Sequence, residues 1–189
     1  ERMQLGGEKR EIAILFADIR GVTSFSDNTS AEKVVETLNE CFHDITELVF
    51  KLRGTFDKYL GDSVLAFYGA PISYGDDLER CLQTALDMQE SFKRIREGWS
   101  DPQLKTLGLG IGINYGEVIV GNVGSERLMD YTVIGDKVNT AQRLEQSAQG
   151  DQILISETVY NLMAGRIKAT EIPPVTVKGK REPVRAYLL

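Results

Sequence analysis

Two aspartates occupy predicted turns from which their carboxylates could share a metal ion. Asp18 directly follows the apolar run at 11–17, so it lies at the exit of a predicted buried strand. Asp62 follows Gly61 between two β-rich runs, a pattern typical of a two-residue hairpin. If the first strand lies beside this hairpin, the carboxylates meet, and oxygen ligands of this kind suit Mg²⁺ or Mn²⁺. The alternative is that each aspartate only stabilises its own turn.

A second pair of polar residues, Asn139 and Arg143, is spaced to act on one ligand. The two residues are four positions apart in a predicted helix, so they project from the same face. An amide and a permanently charged guanidinium on one face can orient and stabilise an anionic substrate. Taken alone, the pair is better explained as an exposed helical amide and a solvated cation.

Hydrophobic periodicity predicts the elements that must position these residues. The predicted helices are 30–54 with Ser30 as N-cap, 76–99, 136–148 and 157–163. The predicted strands are 11–17, 55–60, 63–68, 107–114, 117–123, 131–134, 152–155 and a terminal pair within 175–189 that turns at Gly179-Lys180. The runs 107–114 and 117–123 are predicted to be a strand pair joined at Tyr115-Gly116. This order predicts an α+β sandwich in which helices pack on one side of a mainly antiparallel sheet.

The composition limits the possible functions. A chain of 189 residues with a formal charge of −6 is expected to form one globular domain without a broad surface for nucleic acid. Cys41 and Cys81 lie in predicted amphipathic helices without metal-ligand spacing, so we expect reduced core thiols. His43, the one histidine, is expected at the surface or an interface and not as a general base. No run is long enough to insert into a membrane.

Three blocks, in chain order, identify a resemblance. They are FADIRGVTSF at 16–25, DKYLGDSVLAFYGAP at 57–71 and DYTVIGDKVNTAQRLE at 130–145. Together they resemble the class III adenylyl and guanylyl cyclase catalytic domain, which implies a ferredoxin-like (palm-like) fold over the whole chain, 1–189. Neither a Walker-type loop nor a GxGxxG fingerprint is present. Gly108, Gly110 and Gly112 alternate along a strand and are expected to allow close backbone packing.

The resemblance implies a role for each candidate residue. Asp18 and Asp62, with the Ile19 carbonyl, would hold two divalent ions, Mg²⁺ or Mn²⁺. Asn139 would orient the ribose, and Arg143 would stabilise charge on the α-phosphate in the transition state. The expected phosphate-binding residues are Gly21, Val22, Thr23, Ser24, Phe25 and Lys178, with Lys180 as a neighbour that could be confused with Lys178. Val22 departs from the Phe common in the family, but backbone donors are unaffected. Both lysines could instead be turn residues that keep an edge strand soluble.

Choice of the base depends on Lys58 and Thr132. The Lys58 ammonium can donate to adenine N1, but it offers no acceptor to guanine, for which guanylyl cyclases carry a glutamate at the matching position. Thr132 can accept from the adenine 6-amino group, although its hydroxyl can also donate to a carbonyl, so this residue alone is ambiguous. By alternation, Lys58 is expected to share a strand face with Phe56 and Leu60. The combination resembles adenylyl cyclases, so ATP is favoured and GTP is the alternative substrate.

Family resemblance also implies a homodimer with shared active sites. One chain would supply Asp18 and Asp62, and the other would supply Lys58, Thr132, Asn139 and Arg143. The chain begins at Glu1-Arg2-Met3, and we expect a cytoplasmic catalytic domain cut from a longer protein that could itself be membrane-attached. Two rivals are a catalytically silent nucleotide-binding module, which should lack part of this residue set, and a diguanylate cyclase, which should carry a GG[DE]EF-type turn. The chain has the full set and no such turn.

Overall fold

A mainly antiparallel sheet of eight strands forms the centre of the computed structural model, which describes residues 6–176 and 182–189. The strand order is β2-β3-β1-β4-β6-β8-β7, and β5 pairs with β4 outside this path. Among the described strands, only β4 and β6 pair in parallel. The strands are β1 Gly6–Arg20, β2 Thr55–Leu60, β3 Ser63–Tyr68, β4 Gly108–Ser125, β5 Leu128–Ile134, β6 Ile153–Ser156, β7 Thr170–Val175 and β8 Val184–Leu188. The predicted α+β class is confirmed.

Five α-helices connect or cover these strands within the described residues. They are α1 Val22–Asp27, α2 Ala31–Lys51, α3 Asp77–Gly98, α4 Asp136–Ser147 and α5 Glu157–Leu162, with a short 3-10 helix at Leu104–Thr106. Ser30 caps α2 as predicted, because its side chain accepts from the backbone N–H of Lys33 at 3.3 Å. Hydrophobic periodicity does not indicate α1, but the family resemblance implied a short helix at Gly21 to Phe25, and the six-residue α1 is found there. Val35 of α2 is 55% exposed.

β4 is one continuous strand, so the predicted strand pair with a turn at Tyr115-Gly116 is wrong. The β1–β4 ladder runs without interruption from the pair Gly6–Asn122 to the pair Arg20–Gly108. Ala13 lies opposite Tyr115 and Ile12 opposite Gly116 within that ladder. Neither Tyr115 nor Gly116 has a positive φ angle. Glycine at this position therefore serves an extended strand and not a turn.

The sheet is covered on both faces, which explains why β1 is apolar without alternation. Its odd-numbered residues Ala13, Leu15, Ala17 and Ile19 belong to the core formed with α2, α3 and α5. Its even-numbered residues Ile12, Ile14 and Phe16 pack in a second core with Val138 and Ala141 of α4. The expectation that helices pack on one side holds for α2, α3 and α5, whereas α4 lies on the opposite face.

The terminal strands also differ in position from the prediction. β7 begins at Thr170, before the predicted range, and pairs with β8 as the expected terminal hairpin. The predicted turn at Gly179-Lys180 lies outside the described residues. Cys41 and Cys81 are buried free thiols in α2 and α3, as predicted. No helix in the described part of the chain is both long and apolar enough to cross a bilayer.

Gly112 allows α4 to cross directly over β4. A Cβ at this position would lie 2.2 Å from the backbone nitrogen of Glu145 and 2.5 Å from the carbonyl oxygen of Ala141. Both neighbours are backbone atoms of α4, so the clash cannot be relieved by a rotamer change. The expected close packing at the alternating glycines is confirmed, most clearly here.

Gly112→Ala should destabilise the fold, because α4 must move away from the sheet to admit the methyl group. We expect a loss of about 1–3 kcal/mol in the free energy of unfolding, measured by urea denaturation. Gly98→Ala is the matched control, because a Cβ at Gly98 would meet no atom within 4 Å. An equal loss in both variants would contradict the proposed contact.

Candidate active site

Asp18 and Asp62 lie side by side, as the hairpin arrangement predicted. β3 pairs with β1 so that Ser63 is opposite Asp18, and the Ser63 hydroxyl donates to Asp18 Oδ1 at 2.9 Å. The backbone N–H of Ile19 donates to the carbonyl of Asp62 at 3.2 Å. The exit of β1 and the tip of the β2–β3 hairpin are therefore held together by hydrogen bonds.

The Asp62 carboxylate affects the ionisation of Asp18. Burial, followed by the interaction with Asp62, raises the pKa of Asp18 to about 6, while Ser63 and Arg20 act in the opposite direction. A site in which one carboxylate disfavours ionisation of its neighbour favours a bound cation. No group of three or more His, Cys, Asp or Glu side chains in the described residues is arranged to hold a metal. Any ion bound here would complete its shell with backbone carbonyl, water or phosphate oxygens, as Mg²⁺ commonly does.

Arg20 connects this carboxylate pair to α4. Its Nη1 donates a hydrogen bond to the Asp18 carboxylate, and its Nη2 donates to the Glu145 backbone carbonyl. Its Nε donates to the Ala148 carbonyl at 3.0 Å. Glu145 is only 3% exposed, and its Oε1 lies 2.9 Å from Arg20 Nη2. Burial raises the pKa of Glu145 to about 7, against the lowering effect of Arg20. Sequence reasoning missed Arg20 and Glu145, although both stand inside the quoted blocks.

The turn after β1 presents backbone donors next to the carboxylates. Gly21 has φ +93, and a Cβ there would lie 3.2 Å from Leu107 Cδ2, so glycine suits this position. The Phe25 N–H donates to the Gly21 carbonyl at 3.1 Å, and the Phe25 side chain is buried in the core. Phe25 therefore anchors the turn. The N–H groups of Val22, Thr23 and Ser24 lie before the first hydrogen bond of α1, so they have no acceptor within the helix.

Lys58 and Thr132, predicted to contact the base, are brought together around Asp57. Thr132 Oγ1 donates to Asp57 Oδ2 at 2.5 Å, and Lys58 Nζ lies 3.7 Å from Asp57 Oδ1. Lys58 was predicted to share a strand face with Phe56. This prediction is wrong, because the β2–β3 register shifts between these two residues. Phe56 pairs with Ala66 of one core, whereas Lys58 pairs with Leu65 of the other. The bulge turns Lys58 to the α4 side of the sheet.

Asn139 and Arg143 lie on α4, as predicted. Asn139 is exposed, and Arg143 is half-buried with its Nη1 bonded to Gln146 Oε1 at 2.7 Å. In the described residues of this chain, no hydrogen bond or ion pair joins either side chain to Asp18 or Asp62. Lys178 and Lys180 lie outside the described residues, so the phosphate-binding role of Lys178 stays a prediction. His43 is exposed on α2, as predicted.

Comparison with known proteins agrees with this fold. A family model described as the adenylate and guanylate cyclase catalytic domain matches residues 6–189. Adenylate cyclase of Anabaena cylindrica is 32% identical over 197 residues, covering 99% of this chain and 38% of that protein. The adenylyl cyclase CyaB from P. aeruginosa superimposes with a TM-score of 0.89 at 34% identity, covering 97% of this chain and 95% of that chain. The guanylyl cyclase Cya2 gives a TM-score of 0.90 at 37% identity, covering 97% and 93%.

The fold is that of the palm-type nucleotidyl cyclase domains, with the expected carboxylate pair at the strand exit and the hairpin tip. The chain belongs to the adenylate and guanylate cyclase catalytic domain family, which confirms the resemblance found in the three sequence blocks. It spans about a third of the length of the curated relatives it matches.

Replacing Arg20 should destabilise the domain strongly. Arg20→Met leaves the buried Glu145 carboxylate and two α4 carbonyls without their shared partner, so we expect a loss of about 3–5 kcal/mol in the free energy of unfolding. Urea denaturation followed by circular dichroism measures the change. Arg185→Met is the control, because the described part of the chain pairs Arg185 with Glu157 and Glu171, whose side chains are 42% and 49% exposed, so its loss should leave stability unchanged. Similar midpoints for both variants would contradict the structural role of Arg20.

Proposed function

We propose that the chain is an adenylyl cyclase domain that converts ATP to 3′,5′-cyclic AMP and pyrophosphate. The observation that carries this proposal is the carboxylate pair Asp18 and Asp62 beside the backbone donors of the Gly21 turn. Acidic side chains next to N–H groups suit a phosphate chain that arrives with cations. Asp18, Asp62 and the Ile19 carbonyl would hold the ions.

The chain's own residues bind and orient the substrate in this proposal. Val22, Thr23 and Ser24 offer N–H groups to phosphate oxygens, and Lys178 adds a cation. Two bound divalent ions, Mg²⁺ or Mn²⁺, would lower the pKa of the ribose 3′-hydroxyl and neutralise the leaving pyrophosphate. Asn139 holds the ribose so that the 3′-oxygen points at the α-phosphorus in line with the leaving group.

Arg143 acts where charge develops. As the 3′-oxygen bonds to the α-phosphorus, the bond from that phosphorus to the bridging oxygen breaks and pyrophosphate leaves. A fixed guanidinium stabilises the charge on the α-phosphate oxygens during this exchange. The hydroxyl proton would pass to a substrate phosphate oxygen or to water, and His43, which is exposed on α2, is not assigned as the base.

The base preference rests on Lys58 and Thr132. Lys58 donates to adenine N1, and Thr132 accepts from the 6-amino group. The similarity to the guanylyl cyclase Cya2 keeps GTP as the second candidate. A silent regulatory module is the least favoured alternative, because every expected metal and transition-state residue is present.

The product identifies the substrate directly. The purified domain, incubated with Mn²⁺ and either ATP or GTP, should form cyclic AMP at least about tenfold more efficiently in kcat/KM, because guanine leaves Lys58 without an acceptor. Chromatography of both reactions measures this preference. Asp62→Asn is the control for metal-dependent turnover and should abolish both products. Cyclic GMP as the major product would overturn the choice of ATP but not the family.

The active site is proposed to form between two chains, and complementation tests this. Asp18→Ala and Arg143→Ala should each be inactive, because each removes one half of both sites. Mixed after partial denaturation and refolding, they should regain about a quarter of wild-type activity, since half of the dimers carry one intact site. Asp18→Ala mixed with Asp62→Asn is the matched control and should stay inactive. A mixture of the first pair that stays as inactive as its parents would show that each site lies within one chain.

A further inference from the structure

Asp57 is a buried acid that no step of the proposed reaction uses. It is the residue at which the β2–β3 register shifts, between the pairs Phe56–Ala66 and Lys58–Leu65. Its side chain is only 1% exposed, although β2 is a strand at the end of the sheet order. The bulge therefore places a carboxylate inside the protein between the two residues proposed to contact the base.

The contacts of Asp57 are few for a buried carboxylate. Oδ2 accepts from the Thr132 hydroxyl at 2.5 Å, and Oδ1 lies 3.7 Å from the Lys58 ammonium. In the described part of the chain, Oδ1 accepts no hydrogen bond. Burial raises the pKa of Asp57, while Thr132 and Lys58 oppose this effect.

A purely structural role does not account for this arrangement. Burying a carboxylate costs several kcal/mol unless its oxygens are well paired, and an apolar side chain of similar size would be at least as stable. Among residues 6–176 and 182–189, the polar partners of the Asp57 carboxylate are Thr132 and Lys58. A function connected with those two side chains is therefore the better explanation.

The hydrogen bond from Thr132 to Asp57 determines whether the Thr132 hydroxyl acts as a donor or as an acceptor toward a ligand. A hydroxyl has one proton, and an ionised carboxylate can only accept, so the Thr132 proton points at Asp57. The remaining lone pairs of Thr132 Oγ1 can only accept from a ligand. Adenine offers a donating 6-amino group there, whereas guanine offers a 6-carbonyl oxygen, another acceptor. The ambiguity of threonine in the sequence disappears once its partner is known.

We propose that Asp57 is a positioning residue for base selection: it orients the Thr132 hydroxyl as an acceptor and thereby favours a 6-aminopurine nucleotide over a 6-oxopurine nucleotide. This inference rests on the proposed adenylyl cyclase function. Lys58 keeps donors for adenine N1, because an ammonium has three N–H groups and its contact with Asp57 is 3.7 Å long.

Purine riboside 5′-triphosphate isolates the contact, because it keeps the N1 acceptor of ATP and lacks only the 6-amino group. We expect the wild type to prefer ATP over this analogue by about five- to tenfold in kcat/KM, the value of one hydrogen bond. Asp57→Asn should bring the ratio close to one, because its amide can donate to Thr132 and free the hydroxyl proton. The use of GTP relative to ATP should rise in the same variant.

Two further variants separate this role from a general defect. Asp57→Leu, an apolar replacement expected to fold, should lose the ratio in the same way as Asp57→Asn. Thr132→Val should also give a ratio close to one, and adding Asp57→Asn to it should change the ratio no further, because the two residues act through one hydroxyl. Thermal unfolding checks each variant, and a loss of overall activity alone does not move a ratio of two substrates.

Each outcome has one meaning. An unchanged ATP-to-analogue ratio in both Asp57 variants overturns the positioning role, even if the wild type makes cyclic AMP. An equal effect of Asp57→Asn with and without the Thr132 hydroxyl also overturns it, because Asp57 would then act elsewhere. A wild type that makes mainly cyclic GMP overturns the proposed substrate instead, so the two failures are distinguishable.

Discussion

The pairing of β1 with β3 on one side and β4 on the other is the constraint on which the site depends. The ladder with β3 places Ser63 opposite Asp18 and so brings the hairpin tip, with Asp62, to the exit of β1. The ladder with β4 places Gly110 opposite Asp18 and Gly112 opposite Phe16. A slip of one residue in either ladder would turn Asp18 to the other face of the sheet and separate the two carboxylates. The buried, two-sided apolar sequence of β1 makes such a slip costly.

Electrostatics at the site follow from this register. Asp18 lies next to the carboxylate of Asp62 and the guanidinium of Arg20. Arg20 also binds the Glu145 carboxylate and the backbone carbonyls of Glu145 and Ala148. The guanidinium thus balances buried acids on both sides and holds them in position. The positive charge of Arg20 compensates the carboxylates of Asp18 and Glu145. The same guanidinium also binds the backbone carbonyls at the C-terminal end of α4, where a cation is favourable.

Much of this arrangement was predictable from the sequence, because it depends on local signals. Gly61-Asp62 predicts a hairpin, Ser30 predicts a helix start, and the apolar run before Asp18 predicts a buried strand; all three are found. Failures came where tertiary pairing overrides a local signal. Gly116 resembles a turn residue but continues an eighteen-residue strand, because β1 pairs along its whole length. The bulge at Asp57 has no signature in composition, so strand alternation assigned Lys58 to the wrong face. The importance of Arg20 depends on α4 crossing β4, which no local pattern encodes.

The close crossing of α4 over Gly112 has a mechanical consequence. The helix contacts the backbone of β4 at Gly112, and Arg20 binds the carbonyl of Ala148 just after the helix, so a displacement of α4 relative to the sheet would break both contacts. Within one chain, these contacts fix the position of the carboxylate pair relative to α4, which carries Asn139 and Arg143. In a dimer with shared sites, the distance from Asp18 and Asp62 of one subunit to Asn139 and Arg143 of the other would depend on how the two subunits are rotated against each other. In such a dimer, a rotation of one subunit against the other would change this distance without deforming either subunit.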